Sequence, residues 1–273
     1  MFERRGLLVP GIVLFATVLG LSALGMTLGA PVAAPALGGV HDARVSTMSA
    51  PVTVVNQAAG PSGFEVYNAS NGSLHVSAVT LSLTVPSYGC APTTSVMGVE
   101  LFLLHWNQSR SRFVHDFVLV YMGCAHGKHA FSEIACPATG GCTLHRKFFS
   151  SGTSLTLGIA LHGNKVRLSA TDPSLATGFS KGFTNADGPG VGAECAKVPI
   201  YNASTPYPQP NYHTMTMNCT LTVSGHPVGI GGLGSAGKLF KLTDYNSSGI
   251  TPLDKVGRPT SATIRLKFLA SGP

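Results

Sequence analysis

Along most of the chain beyond Leu74, apolar residues return at every second position, the period of a strand whose two sides meet different surroundings. Leu74–Val85 alternates over its whole length. Val96–His105, Phe113–Met122, Lys128–Ala135, Leu155–Leu161, Val166–Ala170, Thr214–Val223 and Ala262–Leu269 follow the same rule. Turn formers separate these runs, as in Pro86-Ser87-Tyr88-Gly89, His162-Gly163-Asn164 and Thr171-Asp172-Pro173. Helical periodicity is almost absent, and nothing repeats at a solenoid or propeller spacing. Many strands joined by Gly-rich turns predict an all-β domain, a sandwich or barrel of antiparallel sheets.

The N-terminus has a different pattern. Gly6–Ala30 is an uncharged apolar run of 25 residues directly behind Glu3-Arg4-Arg5. It is longer than the roughly 7–15 residues of a signal-peptide core and long enough to cross a bilayer as a hydrophobic helix. A cleaved signal peptide, with Ala34-Pro35-Ala36 as its small-residue site, and a retained anchor with Arg4 and Arg5 on the cytoplasmic side both fit. Both imply export, to the cell surface or beyond. Residues 31–62 are rich in Ala, Pro, Gly and Val and read as a stalk. The expected division is therefore a leader at 1–30, a stalk at 31–62 and one β-domain at 63–273.

Composition supports that compartment. Only 11% of residues are charged, and six of the Asn residues stand in N-x-S/T sequons: Asn68, Asn71, Asn107, Asn202, Asn218 and Asn246. A glycosylated surface would supply the solubility that charge does not. Six cysteines lie beyond the leader, an even number that suits three disulfides in an oxidising compartment, with fifteen pairings open. Cys136 and Cys142 are close enough in sequence to close a hairpin. The net charge of +7 is scattered rather than gathered in a stripe, which argues against nucleic acid as a partner.

Three motif matches fail on context. Gly229-Ile230-Gly231-Gly232-Leu233-Gly234 satisfies G-x-G-x-x-G, yet a strand-like segment follows where a phosphate-binding helix is required. Gly178-Phe179-Ser180-Lys181-Gly182 satisfies G-x-S-x-G inside an alternating run, with no strand-to-helix elbow. Cys124-x-His126-x-x-His129 has metal-ligand residue types, but Cys124 has five potential disulfide partners. No cofactor and no metal are expected.

Four further segments, in order along residues 74–270, resemble the glutamic peptidases (eqolisins). Ser95-Val96-Met97-Gly98-Val99-Glu100 is similar to the family's W-V-G-I-D strand, and Ala130–Pro137 to A-W-Y-E-W-Y-P. Ser151–Leu157 with Val166–Phe183 resembles the pair of strands that follows, and Gly192-Ala193-Glu194-Cys195-Ala196-Lys197 resembles N-A-E-W-I-V. The resemblance implies a concanavalin A-like β-sandwich (jelly roll) and an acid endopeptidase acting on polypeptide. There a Glu activates water and a Gln amide donates to the oxyanion. Carried over residue by residue, the general base is Glu194. Glu133 matches the acidic residue of the W-Y-E strand, with a solvated outward position as the plainer reading. Glu100 replaces the Asp of G-I-D. Tyr121 falls where the catalytic Gln belongs, so its hydroxyl would be the altered oxyanion donor; Gln108, after Trp106, is the other donor in view. Trp106 is the only tryptophan, and most aromatic residues of the family's cleft have no counterpart. The alternative is a non-catalytic surface protein that kept the fold and binds glycan or protein. Glycoside hydrolysis is weaker, since it needs two carboxylates across a cleft and only Glu133 and Glu194 are candidates.

Overall fold

The computed structural model describes residues 52–58, 60–68, 74–88, 95–107, 112–125, 128–138, 141–147, 152–172, 177–184, 188–202, 205–233, 238–245 and 252–269. The apolar leader and most of the expected stalk lie outside them. Strands dominate. Among the described residues there is no α-helix, only a three-residue 3-10 turn at Ile230–Gly232, and no helix long and apolar enough to cross a membrane.

The strands form two stacked layers. The first contains β1 (Val52–Ala58), β2 (Ser62–Tyr67), β4 (Ser95–Asn107), β5 (Arg112–Ala125), β6 (Lys128–Cys136), β7 (Thr143–Lys147), β11 (Gly190–Pro199) and β16 (Lys238–Tyr245). Their order across the sheet is β1-β16-β2-β11-β4-β5-β6-β7. The second contains β3 (Val76–Thr84), β8 (Ser154–His162), β9 (Lys165–Asp172), β10 (Thr177–Thr184), β14 (Thr214–Val223), β15 (His226–Gly229), β17 (Asp254–Val256) and β18 (Thr263–Phe268). Here the order is β10-β9-β8-β3-β14, with β15 and β18 beside β14 and β17 on β18. The two-residue strands β12 (Tyr201–Asn202) and β13 (Thr205–Pro206) pair separately. Every pairing is antiparallel except that of β1 with β16. This is the all-β sandwich that the alternation predicts.

One boundary moves. Val52–Ala58 runs in register with Leu239–Tyr245, so the C-terminal part of the stretch read as a stalk is sheet, and the domain starts before residue 63. Parallel pairing with a strand near the other end of the chain leaves no local signature in Val-Thr-Val-Val-Asn-Gln-Ala.

Alternation separates the two faces of the first layer. Phe64, Val66, Met97, Val99, Leu101, Val118, Val120, Ala193 and Cys195 face the second layer and join Leu81, Leu157, Met217 and Leu221 in the main core. The next residues along, including Tyr67, Phe102, Phe117, Leu119, Ala196, Phe240 and Leu242, form a second apolar cluster on the outer face. At roughly 25 cal/mol per Å² of apolar surface removed from water, the inner face carries most of the driving force. Cys195–Cys219 ties β11 to β14 across the layers, and Cys136–Cys142 closes the turn between β6 and β7. Cys124 is disulfide-bonded too, which removes the thiolate that its motif with His126 and His129 would need.

Candidate active site

The outer face of the first layer gathers three carboxyl groups. Glu194 on β11 stands directly opposite Glu65 on β2 in the ladder, and opposite Phe102 on β4 on its other side. Directly opposed residues hold their Cβ atoms about 4.5–5.5 Å apart, which puts two carboxyls within reach of each other. Glu100 on β4 pairs with Ala196, one two-residue step along the same face, and its carboxyl hydrogen-bonds that of Glu194. Residues separated by an even number along a strand share a face, and paired residues share it too, so the trio is fixed by register.

The trio is nearly dry: Glu65, Glu100 and Glu194 keep 6, 4 and 7% of their surface exposed. Around them lie Phe102, Phe117, Leu119, Leu242 and Phe240, the last paired with Glu65 and stacked at 4.9 Å on Tyr67. The cluster is thus aromatic through Phe and Tyr rather than Trp. One oxygen of each carboxyl, Oε1 in every case, finds no hydrogen-bond partner. Charged carboxylates cannot stay so placed, and each group holds its proton instead. Burial raises Glu65 to about 7 and Glu100 to about 8. Glu194 goes well above the usual range, through burial first and then through Glu100 and Glu65 beside it. In its hydrogen bond with Glu100, Glu194 is the donor.

Gly98 lies on this face two residues before Glu100. A Cβ there would come within 2.7–2.9 Å of side-chain carbons of Val198, Leu119 and Ile200. The missing side chain lets those three close over the end of the cluster. This is what the glycine in Ser95–Glu100 contributes.

Of the four residues singled out from the sequence, register brings Glu194 and Glu100 together. Tyr121 shares their face, half-buried, with its phenol raised to about 12 by burial and by Glu100. Its row, however, is that of Gly98 and Val198, four residues along β11 from Glu194, or roughly 13 Å at 3.3 Å per residue. It neighbours Glu100 and does not reach Glu194. Glu133 falls on the opposite face, in the row of Val120, Val99 and Lys197, fully buried toward the second layer. It is neither an outward residue nor a member of the trio. Gln108 is outside the described residues. Gln209 is bound to Lys197 and Asp244, away from Glu194. Glu65 is the residue that sequence reasoning missed. Its signal was parity: Phe64 and Val66 on one face, Glu65 and Tyr67 on the other.

The rejected motifs stay rejected in the fold. Gly229 ends β15 and Ile230–Gly232 is the 3-10 turn, with β16 following at Lys238, and Gly178–Gly182 lies within β10. Among the described residues no three or more His, Cys, Asp or Glu are arranged to hold a metal ion.

No family model matches this sequence, and no curated protein does. Solved structures do match. Scytalido-glutamic peptidase, solved with a transition state analog inhibitor, superposes with a TM-score of 0.54 at 10% identity, over 77% of this chain and 98% of its own. Aspergilloglutamic peptidase from Aspergillus niger gives 0.50 at 9% identity, over 64% of this chain and 99% of its own. Nearly the full length of both enzymes is matched, so the chain carries the β-sandwich fold of the glutamic peptidases in a strongly diverged sequence.

Proposed function

We propose that this is an exported peptide hydrolase whose acid–base chemistry is carried by the Glu65–Glu100–Glu194 trio in place of a Glu–Gln pair. The observation that carries the reading is the pairing of Glu194 with Glu65 across adjacent strands, with Glu100 hydrogen-bonded behind it and no carboxamide in that row. Peptide hydrolysis needs one group to take a proton from water and another to donate toward the carbonyl oxygen. Two or three carboxyls sharing protons supply both, because like charges this close cannot ionise together. The trio titrates as a unit. Within it Glu65 is raised less than Glu100, and Glu194 donates to Glu100, so Glu65 is the base and Glu194 the donor. That order exchanges the role which the resemblance gives to Glu194. The disulfides and sequons suit a protein working outside the cytoplasm.

The working pH moves with it. A resemblance to acid peptidases implies activity at pH 3–4, where this trio is fully protonated and has no base. The expected profile is bell-shaped, rising as the first proton leaves near pH 7 and falling as the next leaves near pH 8. Digestion of an unfolded protein substrate from pH 3 to 9 by wild type, Glu65→Gln and Glu194→Gln tests this. Loss of the base should cost about 10²–10⁴ in rate for Glu65→Gln. Glu194→Gln keeps a donor and should lose much less. The reverse ranking returns the base to Glu194. No cleavage by wild type at any pH leaves a binding protein on a peptidase fold.

A further inference from the structure

Between the layers, buried Lys197 meets Asp254 at 2.5 Å and Asp244 at 3.2 Å, in a network that supplies both carboxyls with donors. The outer face of the second layer is the surface that neither this network nor the glutamate trio explains. Register sets polar side chains abreast across it. Thr263, Asn218, Ser82, Thr156 and Thr171 form one row from β18 to β9, and Thr84 pairs with Ser154 one step along. An open trough of about 810 Å³ lies there, walled by Ser82, Thr84, Ser87, Ser154, Thr156 and Thr216, with Asn218 on its lining and no Asp, Glu, Lys or Arg. Asn218 is exposed and heads the sequon Asn218-Cys219-Thr220. Its Oδ1 accepts the Thr263 hydroxyl at 2.9 Å on the β18 side, which leaves Nδ2 as the end turned away from that strand. Cys219 points inward to Cys195, so Asn218 and Thr220 share the outer face.

From these observations we infer that Asn218 carries an N-linked glycan and that the trough seats its first sugars. The inference needs the exported setting of the proposed function but none of its chemistry. In the transfer, Nδ2 of Asn218 bonds to C1 of an oligosaccharide held on a lipid diphosphate. The bond from C1 to the diphosphate oxygen breaks, the lipid diphosphate leaves, and the amide proton passes to a base of the transferase. Order follows from the sheet. In the folded chain β14 is paired on both sides, with Ser82 and Thr263 opposite Asn218, so a transferase reaches the sequon only before β14 enters the sheet. Modification therefore precedes Cys195–Cys219, which fixes Cys219 between the two sequon side chains. Parity then delivers the sugar to the outer face, beside the hydroxyls. Sugar, Ser and Thr hydroxyls all donate and accept, so this lining can bind a glycan without desolvating a charge. The trough falls within the roughly 300–1,000 Å³ of small-ligand sites. Asn68 and Asn107, the other sequon residues whose side chains are described, are half-buried and do not line it.

The full chain, secreted by a eukaryotic host, tests both parts. Glycopeptide mass spectrometry should find sugar on Asn218, and Asn218→Gln should remove it. An endoglycosidase should then trim that glycan about tenfold more slowly from the folded protein than from the denatured one, the protection that a few hydrogen bonds to sugar would give. Thr84→Val with Thr156→Val keeps the sequon and the strand propensity while removing two hydroxyls. That variant should still be glycosylated, and its folded form should be trimmed several-fold faster than folded wild type. Bare Asn218 in secreted, disulfide-bonded protein overturns the proposal. So does a glycan trimmed equally fast from folded and denatured protein, or equally fast from wild type and the double variant. None of these readouts requires peptide hydrolysis, so bare Asn218 in a protein that still cleaves peptides rejects the glycan and leaves the peptidase standing.

Discussion

Strand β11 carries two acidic clusters on opposite faces, three residues apart, and they differ in one respect that decides their use. At Lys197 each carboxyl is surrounded by donors: an ammonium, two hydroxyls, an amide side chain and a backbone N–H. At Glu194 the carboxyls meet one another and aromatic rings, with an oxygen of each left unpaired. A satisfied buried network fixes a structure, whereas an unsatisfied one stores free energy that a proton or a ligand can release. Under the proposed function the inward cluster serves stability and the outward one chemistry.

The largest test of that contrast is Lys197→Met. It leaves Asp244 and Asp254 buried beside each other without a cation, and breaking a buried pair on one side costs about 3–5 kcal/mol. Urea unfolding near pH 6 measures this. A loss below about 1 kcal/mol would put both clusters in the same class.

Next in size is the pH dependence of wild-type stability. The trio binds protons more tightly when folded than when unfolded, because Glu65 and Glu100 move from 4.5 up to about 7 and 8. Their contribution is complete below about pH 4.5 and is lost as pH rises through about 7 and 8. The stability curve therefore falls steadily between pH 4.5 and 8.5. Asp244 adds a slope of the same sign, so the trio's share is read from Glu65→Gln. That variant should flatten the curve and be more stable than wild type at pH 8.5, by about 3 kcal/mol. Thermal melts across the series check it, and an unchanged slope would mean that Glu65 does not hold a proton.

How far the sequence could be read follows the same division between faces. Strands with one apolar side, such as β3 and β14, were visible because their polar positions alternate with buried ones. β2 and β11 are buried on both faces, so Ser-Gly-Phe-Glu-Val-Tyr and Gly-Val-Gly-Ala-Glu-Cys-Ala-Lys-Val-Pro show no clean period. Glu194 and Glu100 were found through their flanking residues. Glu65 and Lys197 were not, because their significance depends on partners from distant parts of the chain. Glu133 shows the limit of local pattern. In Phe-Ser-Glu-Ile-Ala-Cys both neighbours of the carboxylate are small or apolar, and only its register with Val120 places it inward.

A smaller effect is expected at Gly98. Alanine there must displace side-chain carbons of Val198, Leu119 and Ile200; the last two are Cδ1 ends that can swing aside, whereas Val198 Cγ2 sits on a stiff β-branched side chain. Overpacking of this kind costs about 1–3 kcal/mol. Leu119 pairs with Glu100, so the shift should move the trio as well as the fold. A changed acid limb in the pH–rate profile, alongside the stability loss, separates this from simple crowding.

The smallest effect, and the sharpest, is at Tyr121. If its hydroxyl took the place of the family's Gln, Tyr121→Phe would remove the oxyanion donor and cost about 10²–10³ in rate. The ladder argues otherwise. Tyr121 pairs with Gly98, and Gly98 with Val198, so a carbonyl held between Glu65 and Glu194 lies four residues away along β11. The phenol instead stands beside Glu100, and its own titration near 12 keeps it neutral through the working range. Removing the hydroxyl should therefore change the rate less than about tenfold, with stability nearly unaltered. The visible consequence should be a small shift in the limb that reports Glu100. A hundredfold loss with an unshifted profile would move the reacting carbonyl toward Tyr121, and Glu100 rather than Glu65 would then be the carboxyl that matters.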